Sequence, residues 1–335
     1  MSSLRLGPRQ AKPQMTQDVR AVRAQRLQPE RVHRFYRGGA LLGRLSAQPE
    51  TDGFSPENWL GSVTAAANPD RDDPEEGLSR LSDGRLLRDA IEADSVSWLG
   101  EAHVACYGHS TGLLVKLLDA AERLPVHAHP DRAFAREHLH SRFGKTEAWV
   151  VLATRDDAGE VSVGLSAPVE ASEYRTWIDE QNVEALHSSL NRVEVRAGET
   201  IYVPAGIPHA IGAGVFLAEL QEPTDFSIIC EWQGFPIRPE DSHLGLGWDT
   251  VIEALVLDAH EPVRRLPEEA GAFFWLDRDP GPADRFAVLV VLEGEGRIDG
   301  EHARAGDAFA VPAAAKSLAL EGDLSVLRCL APEPV

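Results

Sequence analysis

The sequence has 335 residues, of which 43% are hydrophobic and 26% are charged, and its formal net charge at pH 7 is −20. This length allows two domains with their own cores, and the excess of acidic residues repels nucleic acid at long range. No run approaches the roughly 18 apolar residues of a membrane span, and the N-terminus lacks the apolar core of a signal peptide. We therefore expect a cytoplasmic monomer or homodimer with neither nucleic-acid nor membrane partners.

The first hundred residues contain an N-terminal arm, an exposed loop and a helical stretch. Residues 1–30 are rich in basic and polar side chains without an apolar stripe, which predicts a partly disordered or loosely docked arm. Residues 67–77 are rich in Asp, Glu and Pro and predict an exposed loop. The leucines of residues 78–87, with Ile91 and Trp98, recur at roughly helical spacing, which predicts a short helix or helix pair over about 78–100.

From residue 103 onward, short apolar runs alternate with Gly and Pro turns, a pattern typical of β-barrels and sandwiches. A helical stretch interrupts this pattern over residues 170–190. Residues 305–315 then repeat the strand-and-turn rhythm of residues 197–206. We therefore predict a mainly β fold with two barrels, one over residues 31–235 and one over residues 245–335, joined by a linker at 236–245.

The strongest chemical signal is a set of four potential metal ligands. His127 and His129 are two positions apart on a predicted strand, so both side chains can point into one barrel interior. Glu147 and His209, which lie beside two other strand-like runs, can complete a mononuclear shell. A second His-x-His pair, His138 and His140, lies in a polar stretch predicted to be helix or loop, where i and i+2 do not share a face, and we exclude it.

Three motifs give the chain a resemblance to the class I mannose-6-phosphate isomerases, which are cupin enzymes. Residues 113–120 followed by His-Ala-His-Pro-Asp at 127–131 resemble that family's entry strand and its Gln-x-His-Pro-Asp metal strand. Gly-Lys-Thr-Glu-Ala-Trp at 144–149 resembles Gly-Lys-Thr-Glu-x-Trp, and residues 203–210 resemble the Pro-Ala-Gly-x-x-His-Ala turn. The resemblance covers roughly residues 31–235 and implies two cupin-like (jelly-roll) barrels with a small helical insertion.

The resemblance also implies a metal site and a reaction. The family's zinc ligands fall on His127, where the family usually has Gln, and on His129, Glu147 and His209. One divalent ion is implied, zinc first, with iron(II) or manganese(II) as alternatives because the extra imidazole makes the site richer in nitrogen. The implied activity is the interconversion of mannose 6-phosphate and fructose 6-phosphate through an enediolate, which needs a Lewis acid and a base.

Further residues are candidates for catalysis and substrate binding. Lys145 lies two residues before a ligand, and so on the same strand face as Glu147, within reach of a substrate. Glu219 matches a family glutamate, and burial among apolar neighbours would raise its pKa toward that of a general base. For the phosphate of a sugar substrate we expect a local basic pocket, whose candidates close to the metal strand are Lys116, Arg132 and Arg142.

Two departures from the family pattern leave the function open. About ten residues after its glutamate the family has an arginine regarded as catalytic, and here Ile228 or Ile229 stands instead. If the chain isomerises a phosphosugar, another cation must replace that arginine. The alternatives are an isomerase of another sugar, phosphorylated or not, or a cupin of another class, either a metal-dependent oxygenase or a sugar-binding protein. The C-terminal copy offers Lys316 and Ser317 where the first copy has His209, so we expect the second barrel to be metal-free.

Overall fold

The computed structural model describes residues 22–46, 53–68, 71–278, 284–315 and 317–334. Within this part of the chain the fold is mainly β, as predicted, and its strands form three antiparallel sheets. No helix in the described residues is both long and apolar enough to cross a membrane. The strands, in chain order, are β1 (Gln25–Leu27), β2 (Arg31–Val32), β3 (Glu57–Leu60), β4 (Leu114–Asp119), β5 (His127–Ala128), β6 (Glu147–Thr154), β7 (Gly159–Leu165), β8 (Leu190–Val195), β9 (Thr200–Val203), β10 (His209–Ile211), β11 (Val215–Gln221), β12 (Ile228–Ile229), β13 (Trp275–Asp277), β14 (Ala287–Ile298), β15 (Glu301–Arg304), β16 (Ala308–Val311) and β17 (Leu320–Leu330).

The helices are short and lie between the strands. They are α1 (Leu41–Ser46), α2 (Leu87–Ala93), α3 (Ser95–Leu99), α4 (Glu101–Tyr107), α5 (Arg132–His138), α6 (Ala171–Asp179), α7 (Val183–Ser188) and α8 (Trp248–Val251). The helical stretch expected from residue 78 begins only at Leu87, because residues 80–86 form a tight turn closed by the Arg80–Leu86 bridge. Gly84 has a φ of +89° in this turn, a conformation that ends any helical run.

Two facing sheets form the N-terminal barrel. The central sheet has the strand order β2-β3-β4-β11-β6-β9, and the site sheet has the order β12-β5-β10-β7-β8. Valines and leucines of both sheets, among them Val151, Leu217, Val163 and Val195, pack between them as one apolar cluster. Because strand side chains alternate between faces, the opposite face of the central sheet needs its own cover.

That cover is the C-terminal sheet, of order β1-β16-β14-β17-β13 with β15 paired to β14. Leu117 and Val150 of the central sheet share one buried cluster with Val288 and Leu327 of the C-terminal sheet. The C-terminal unit is thus a single six-stranded sheet that closes around its own apolar core, with Phe309 among its members. It packs face to face on the central sheet, so the two barrels predicted from sequence share a hydrophobic interface.

Two predicted boundaries differ from the structure. Residues 1–21 of the predicted arm lie outside the described residues, whereas residues 25–27 form β1, an edge strand of the C-terminal sheet, in which Leu27 is buried. The segment 236–245, predicted to be a linker, supplies part of the wall of a cavity in the N-terminal barrel. Its tie to the barrel is direct, since the Ile229 N–H donates to the Ser242 carbonyl at 2.8 Å.

Candidate metal centre and its cavity

The two facing sheets bring the four predicted ligands together. β5 carries His127 and is followed by His129, and β10 begins at His209, the direct cross-strand partner of His127. Glu147 begins β6 on the opposing central sheet. The turn between β9 and β10 is joined to the metal strand, because the Gly206 N–H donates to the His129 carbonyl at 2.7 Å. Three imidazoles from one sheet therefore face one carboxylate from the other.

The ligand atoms converge without satisfying one another. Ring nitrogens of His127, His129 and His209 lie within 4.8 Å of each other. The Glu147 carboxylate lies 3.0 Å from His129 Nε2 and 3.8 Å from His209 Nε2. Nevertheless His129 Nε2, His209 Nε2 and Glu147 Oε1 are all buried and make no hydrogen bond among the described residues, although Glu147 Oε1 has an ion-pair contact with Lys145. Buried polar atoms rarely lack a hydrogen bond, so this cluster of lone-pair nitrogen and oxygen atoms fits a bound cation.

Backbone carbonyls fix the orientation of each imidazole. The Nδ1 atoms of His127, His129 and His209 lie 2.9, 2.7 and 2.8 Å from the carbonyl oxygens of residues 125, 226 and 207. A carbonyl only accepts, so each Nδ1 carries the proton and each Nε2 keeps its lone pair for a metal. Burial also lowers the pKa of all three histidines, which keeps them neutral.

Neighbouring side chains keep the Glu147 carboxylate ionised and fix its orientation. The indole Nε1 of Trp149 donates to its Oε2 at 3.2 Å, and Lys145 Nζ lies 3.2 Å from its Oε1. Burial acts to raise the pKa of Glu147, but the positive charge of Lys145 opposes it, and that pKa lies well below the ordinary value. The carboxylate is therefore available as a ligand at neutral pH.

A second acid lies on the same face of the central sheet. Glu219 on β11 is 3% exposed, and its Oε1 lies 3.2 Å from Lys116 Nζ on β4. Burial, reinforced by the charges of Glu147 and Glu57, raises the pKa of Glu219 to about 7 despite the opposing effect of Lys116 and Lys145. A carboxyl group with a pKa near neutrality can accept and return a proton.

Beyond Glu219, buried side chains of alternating charge extend away from the metal ligands. We call the whole set the charged wall; its members are Lys145, Glu147, Glu219, Lys116, Glu57 and Arg34. Lys116 Nζ also lies 3.7 Å from Glu57 Oε2, and the same carboxylate receives Arg34 Nε at 3.1 Å. Arg34 in turn reaches Asp225 at 3.1 Å. Tyr36 donates to Glu57 at 2.5 Å. Burial acts to raise the pKa of Glu57, but Arg34 and Lys116 dominate and lower it.

These residues enclose a cavity of about 560 Å³, large enough for a small substrate. The charged wall forms one side, and apolar side chains such as Ile211, Ile229 and Leu124 form the other. Ile229 is the cross-strand partner of His127, so its side chain lies on the same face beside that imidazole. A molecule with a polar edge and an apolar face suits such a cavity.

The predicted substrate-binding residues fall into two groups, one that lines the cavity and one that does not. Lys116 and Lys145 line the cavity together with His127, Glu147 and Glu219. The two arginines do not, which corrects their expected placement.

Arg132 lies on α5, where its Nε donates to Glu222 at 2.5 Å and its guanidinium stacks on Phe273. Arg142 donates to the Cys106 carbonyl at 2.8 Å on the exposed surface. Both guanidinium groups are therefore engaged away from the cavity.

Sequence analysis missed the far half of the charged wall. Arg34 and Glu57 lie ahead of the three motifs that carry the family resemblance, which begin at residue 113. A usable signal was present at residues 57–59, because a Glu followed two positions later by Trp repeats the Glu147–Trp149 spacing. In both cases the indole donates to the carboxylate, at 2.7 Å for Trp59 and Glu57.

Comparisons with known proteins support the resemblance. The chain is 36% identical over 135 residues to mannose-6-phosphate isomerase ManA of Bacillus subtilis, covering 39% of this chain and 41% of that protein. It is 38% identical over 127 residues to the mannose-6-phosphate isomerase of Streptococcus mutans, covering 37% and 38%. The aligned part thus spans about two fifths of either relative. No family model matches the chain.

The fold comparison covers nearly the whole chain. The crystal structure of the mannose 6-phosphate isomerase from Bacillus subtilis superposes with a TM-score of 0.70 at 20% identity, covering 92% of this chain and 99% of that one. At this identity the likeness establishes the fold alone, which is that of this mannose 6-phosphate isomerase. The predicted fold class and the predicted resemblance are confirmed.

Proposed function

We propose that the protein is a metal-dependent aldose–ketose isomerase that interconverts mannose 6-phosphate and fructose 6-phosphate. The observation that carries the proposal is the set of orphaned ligand atoms of His129, His209 and Glu147 beside a buried carboxyl of near-neutral pKa, Glu219. The names of the two curated relatives supply the sugar phosphate. Since a phosphate dianion does not cross a membrane unaided, this activity belongs with a cytoplasmic location.

The residues present fit a single divalent ion. His127, His129, His209 and Glu147 would hold it, and its chemistry would be Lewis-acid polarisation of the sugar oxygens. We propose zinc, with iron(II) or manganese(II) as the alternatives, because three imidazoles and one carboxylate suit all three ions.

The charged wall supplies the proton transfers. In its ionised form Glu219 removes the proton from the carbon next to the carbonyl and returns it to the neighbouring carbon. Lys145, 3.2 Å from Glu147, donates a hydrogen bond to the sugar oxygen on which the enediolate charge develops. Lys116 holds Glu219 in place through their 3.2 Å ion pair. The apolar side of the cavity limits access of water to this intermediate.

One observation favours a second candidate, the isomerisation of an unphosphorylated sugar. The arginine that the family resemblance implies is replaced here by Ile228 or Ile229, and an isoleucine cannot bind phosphate. Ile229 lies beside His127 as its cross-strand partner. The buried cations of the cavity, Arg34, Lys116 and Lys145, are each already paired with carboxylates.

The test is an elemental analysis of the purified protein combined with a coupled assay for fructose 6-phosphate formed from mannose 6-phosphate. We expect about one divalent ion per chain and turnover that a chelator abolishes and added metal restores. Free mannose serves as the parallel substrate. If the fully metallated protein turns over neither sugar, the isomerase proposal fails and a binding or oxygen-dependent cupin takes its place.

A further inference from the structure

The phosphate of the proposed substrate needs a cation that no carboxylate has already neutralised. Four cationic side chains line the described part of the cavity. Arg34, Lys116 and Lys145 have side chains that are 8%, 3% and 5% exposed, and each lies within 3.2 Å of a buried carboxylate. Recruiting any of them would break a buried ion pair, which is costly.

Arg71 is the fourth cation and differs from the others. Its side chain is 46% exposed, and the one ion pair that it makes among the described residues, from Nε to Glu76 Oε2, is 3.3 Å long. Glu76 does not depend on it, because the His33 N–H donates to Oε1 at 2.9 Å and Asn68 Nδ2 donates to Oε2 at 2.8 Å. Arg71 can therefore turn toward a ligand without leaving Glu76 unsatisfied.

The neighbours of Arg71 form a polar end of the cavity. His33 and Asn68 also line it, and His33 Nδ1 is buried without a hydrogen-bond partner in the described residues. Asn68 Oδ1 accepts from Arg34 NH1 at 3.2 Å, which joins this end to the charged wall. Along that wall the ion pairs run from Glu147 through those of Lys116 and Arg34, so the polar end is the one away from the metal ligands.

We propose that Arg71, flanked by His33 and Asn68, binds the phosphate group of the substrate at the end of the cavity away from the metal. This inference rests on the proposed function and identifies the cation that compensates for Ile229. A guanidinium presents two parallel N–H donors to phosphate oxygens, and the unpaired His33 ring nitrogen offers a further polar contact. The sugar carbons would then extend from Arg71 toward Glu219 and the metal ligands.

The decisive experiment measures binding separately from turnover. Metal-loaded protein is titrated by calorimetry with mannitol 6-phosphate, which has no carbonyl to isomerise, and with mannitol. We expect Arg71→Gln to weaken mannitol 6-phosphate roughly tenfold to a hundredfold and to leave mannitol unchanged. Arg71→Lys, which keeps the charge, should recover part of the loss. The matched control is Arg88→Gln on α2, an exposed arginine 3.6 Å from Asp89 that does not line the cavity.

Kinetics give a second readout. Arg71→Gln should raise KM for mannose 6-phosphate by a similar factor with kcat nearly unchanged, because the phosphate lies away from the reacting carbons. Equal affinity of wild type and Arg71→Gln for mannitol 6-phosphate overturns the inference. So does a wild type that binds mannitol as tightly as its phosphate, a result that favours the neutral-sugar substrate. Arg71-dependent phosphate binding without any isomerisation would uphold the inference and refute the proposed function.

Discussion

The two copies of the strand-and-turn motif fold into different surroundings. In the first copy, β9 belongs to the central sheet and β10 to the site sheet, so the turn at residues 204–208 carries the chain across the space between two facing sheets. In the second copy, β16 and β17 both pair with β14 in one sheet. The same local rhythm therefore yields a site only where two sheets face each other and each supplies ligands.

The interiors differ accordingly. Leu289, Ile298 and Phe309 fill the C-terminal core, whereas the N-terminal barrel encloses the cavity. The one described histidine on a strand of the C-terminal sheet, His302, points to solvent and pairs with Glu295 at 2.8 Å. Among the described residues, the histidine cluster of the N-terminal barrel is the one group suited to a metal ion.

Removal of a metal ligand should give the largest effect, and it is the most direct test of the difference between the N-terminal barrel and the C-terminal sheet. We expect His129→Ala to lower the metal content from about one ion per chain to nearly none, because the remaining ligands no longer close the shell. The control His302→Ala should keep its metal. Elemental analysis decides, and undiminished metal in His129→Ala would remove this centre from consideration.

Lys145→Met should reduce turnover strongly while leaving the metal in place. The methionine keeps much of the apolar stem but cannot donate to the developing enediolate, so kcat should fall by about 10²- to 10⁴-fold. Metal content and melting temperature should stay near the wild-type values. If kcat is unchanged under saturating substrate, Lys145 has no catalytic part.

The pH profile tests Glu219 as the base. Its ionised form is the active one, so kcat/KM should rise roughly tenfold per pH unit below a pKa of about 7 and level off above it. Burial raises this pKa most, and the charges of Glu147, Lys116, Lys145 and Glu57 modify it. Glu219→Gln should remove this acidic limb together with most of the turnover. A limb that persists in the glutamine variant would assign it to another group.

A substitution at the interface between the central sheet and the C-terminal sheet should give the smallest effect, and we expect it only in the free energy of unfolding. Gly61 has a φ of +65°, and a Cβ there would lie 2.3 Å from a methyl group of Val288 on the C-terminal sheet. Gly84 has a φ of +89° with nothing near its missing Cβ. Alanine at Gly84 should cost about 1 kcal/mol of backbone strain, and alanine at Gly61 about 1–3 kcal/mol more through overpacking.

Urea unfolding of both glycine variants measures the difference. Equal losses of unfolding free energy in Gly61→Ala and Gly84→Ala would mean that the central and C-terminal sheets do not pack tightly at Gly61. In the wild type, the contact implies that the C-terminal sheet stabilises the N-terminal barrel.

The metal centre could be predicted from sequence because its signals are local. His127 and His129 share one strand face by a period of two, and Lys145 and Glu147 do the same on β6. The mainly β fold followed from the alternation of apolar runs with Gly and Pro turns. These features depend on spacing along the chain and need no knowledge of which strands pair.

The other residues of the cavity could not be predicted, because their positions depend on which distant strands pair. Arg132 and Arg142 are close to the metal strand in sequence, but α5 and the loop after it carry them outside the cavity. Arg34 and Arg71 are distant in sequence and reach the cavity because β2 and β3 pair next to β4 in the central sheet. The wall formed by residues 236–245 could not be predicted, because nothing in a Pro- and Gly-containing segment says which surface it covers.

The edge strand β1 has a consequence for synthesis of the chain. β1 pairs with β16, and the Ala24 N–H donates to Asp299 across 275 positions of sequence. On the ribosome, the strands of the N-terminal barrel emerge long before residue 308, so β1 remains unpaired until β16 has been synthesised. Such a late, long-range closure is slow, and only when it is made does the open edge of β16 become covered.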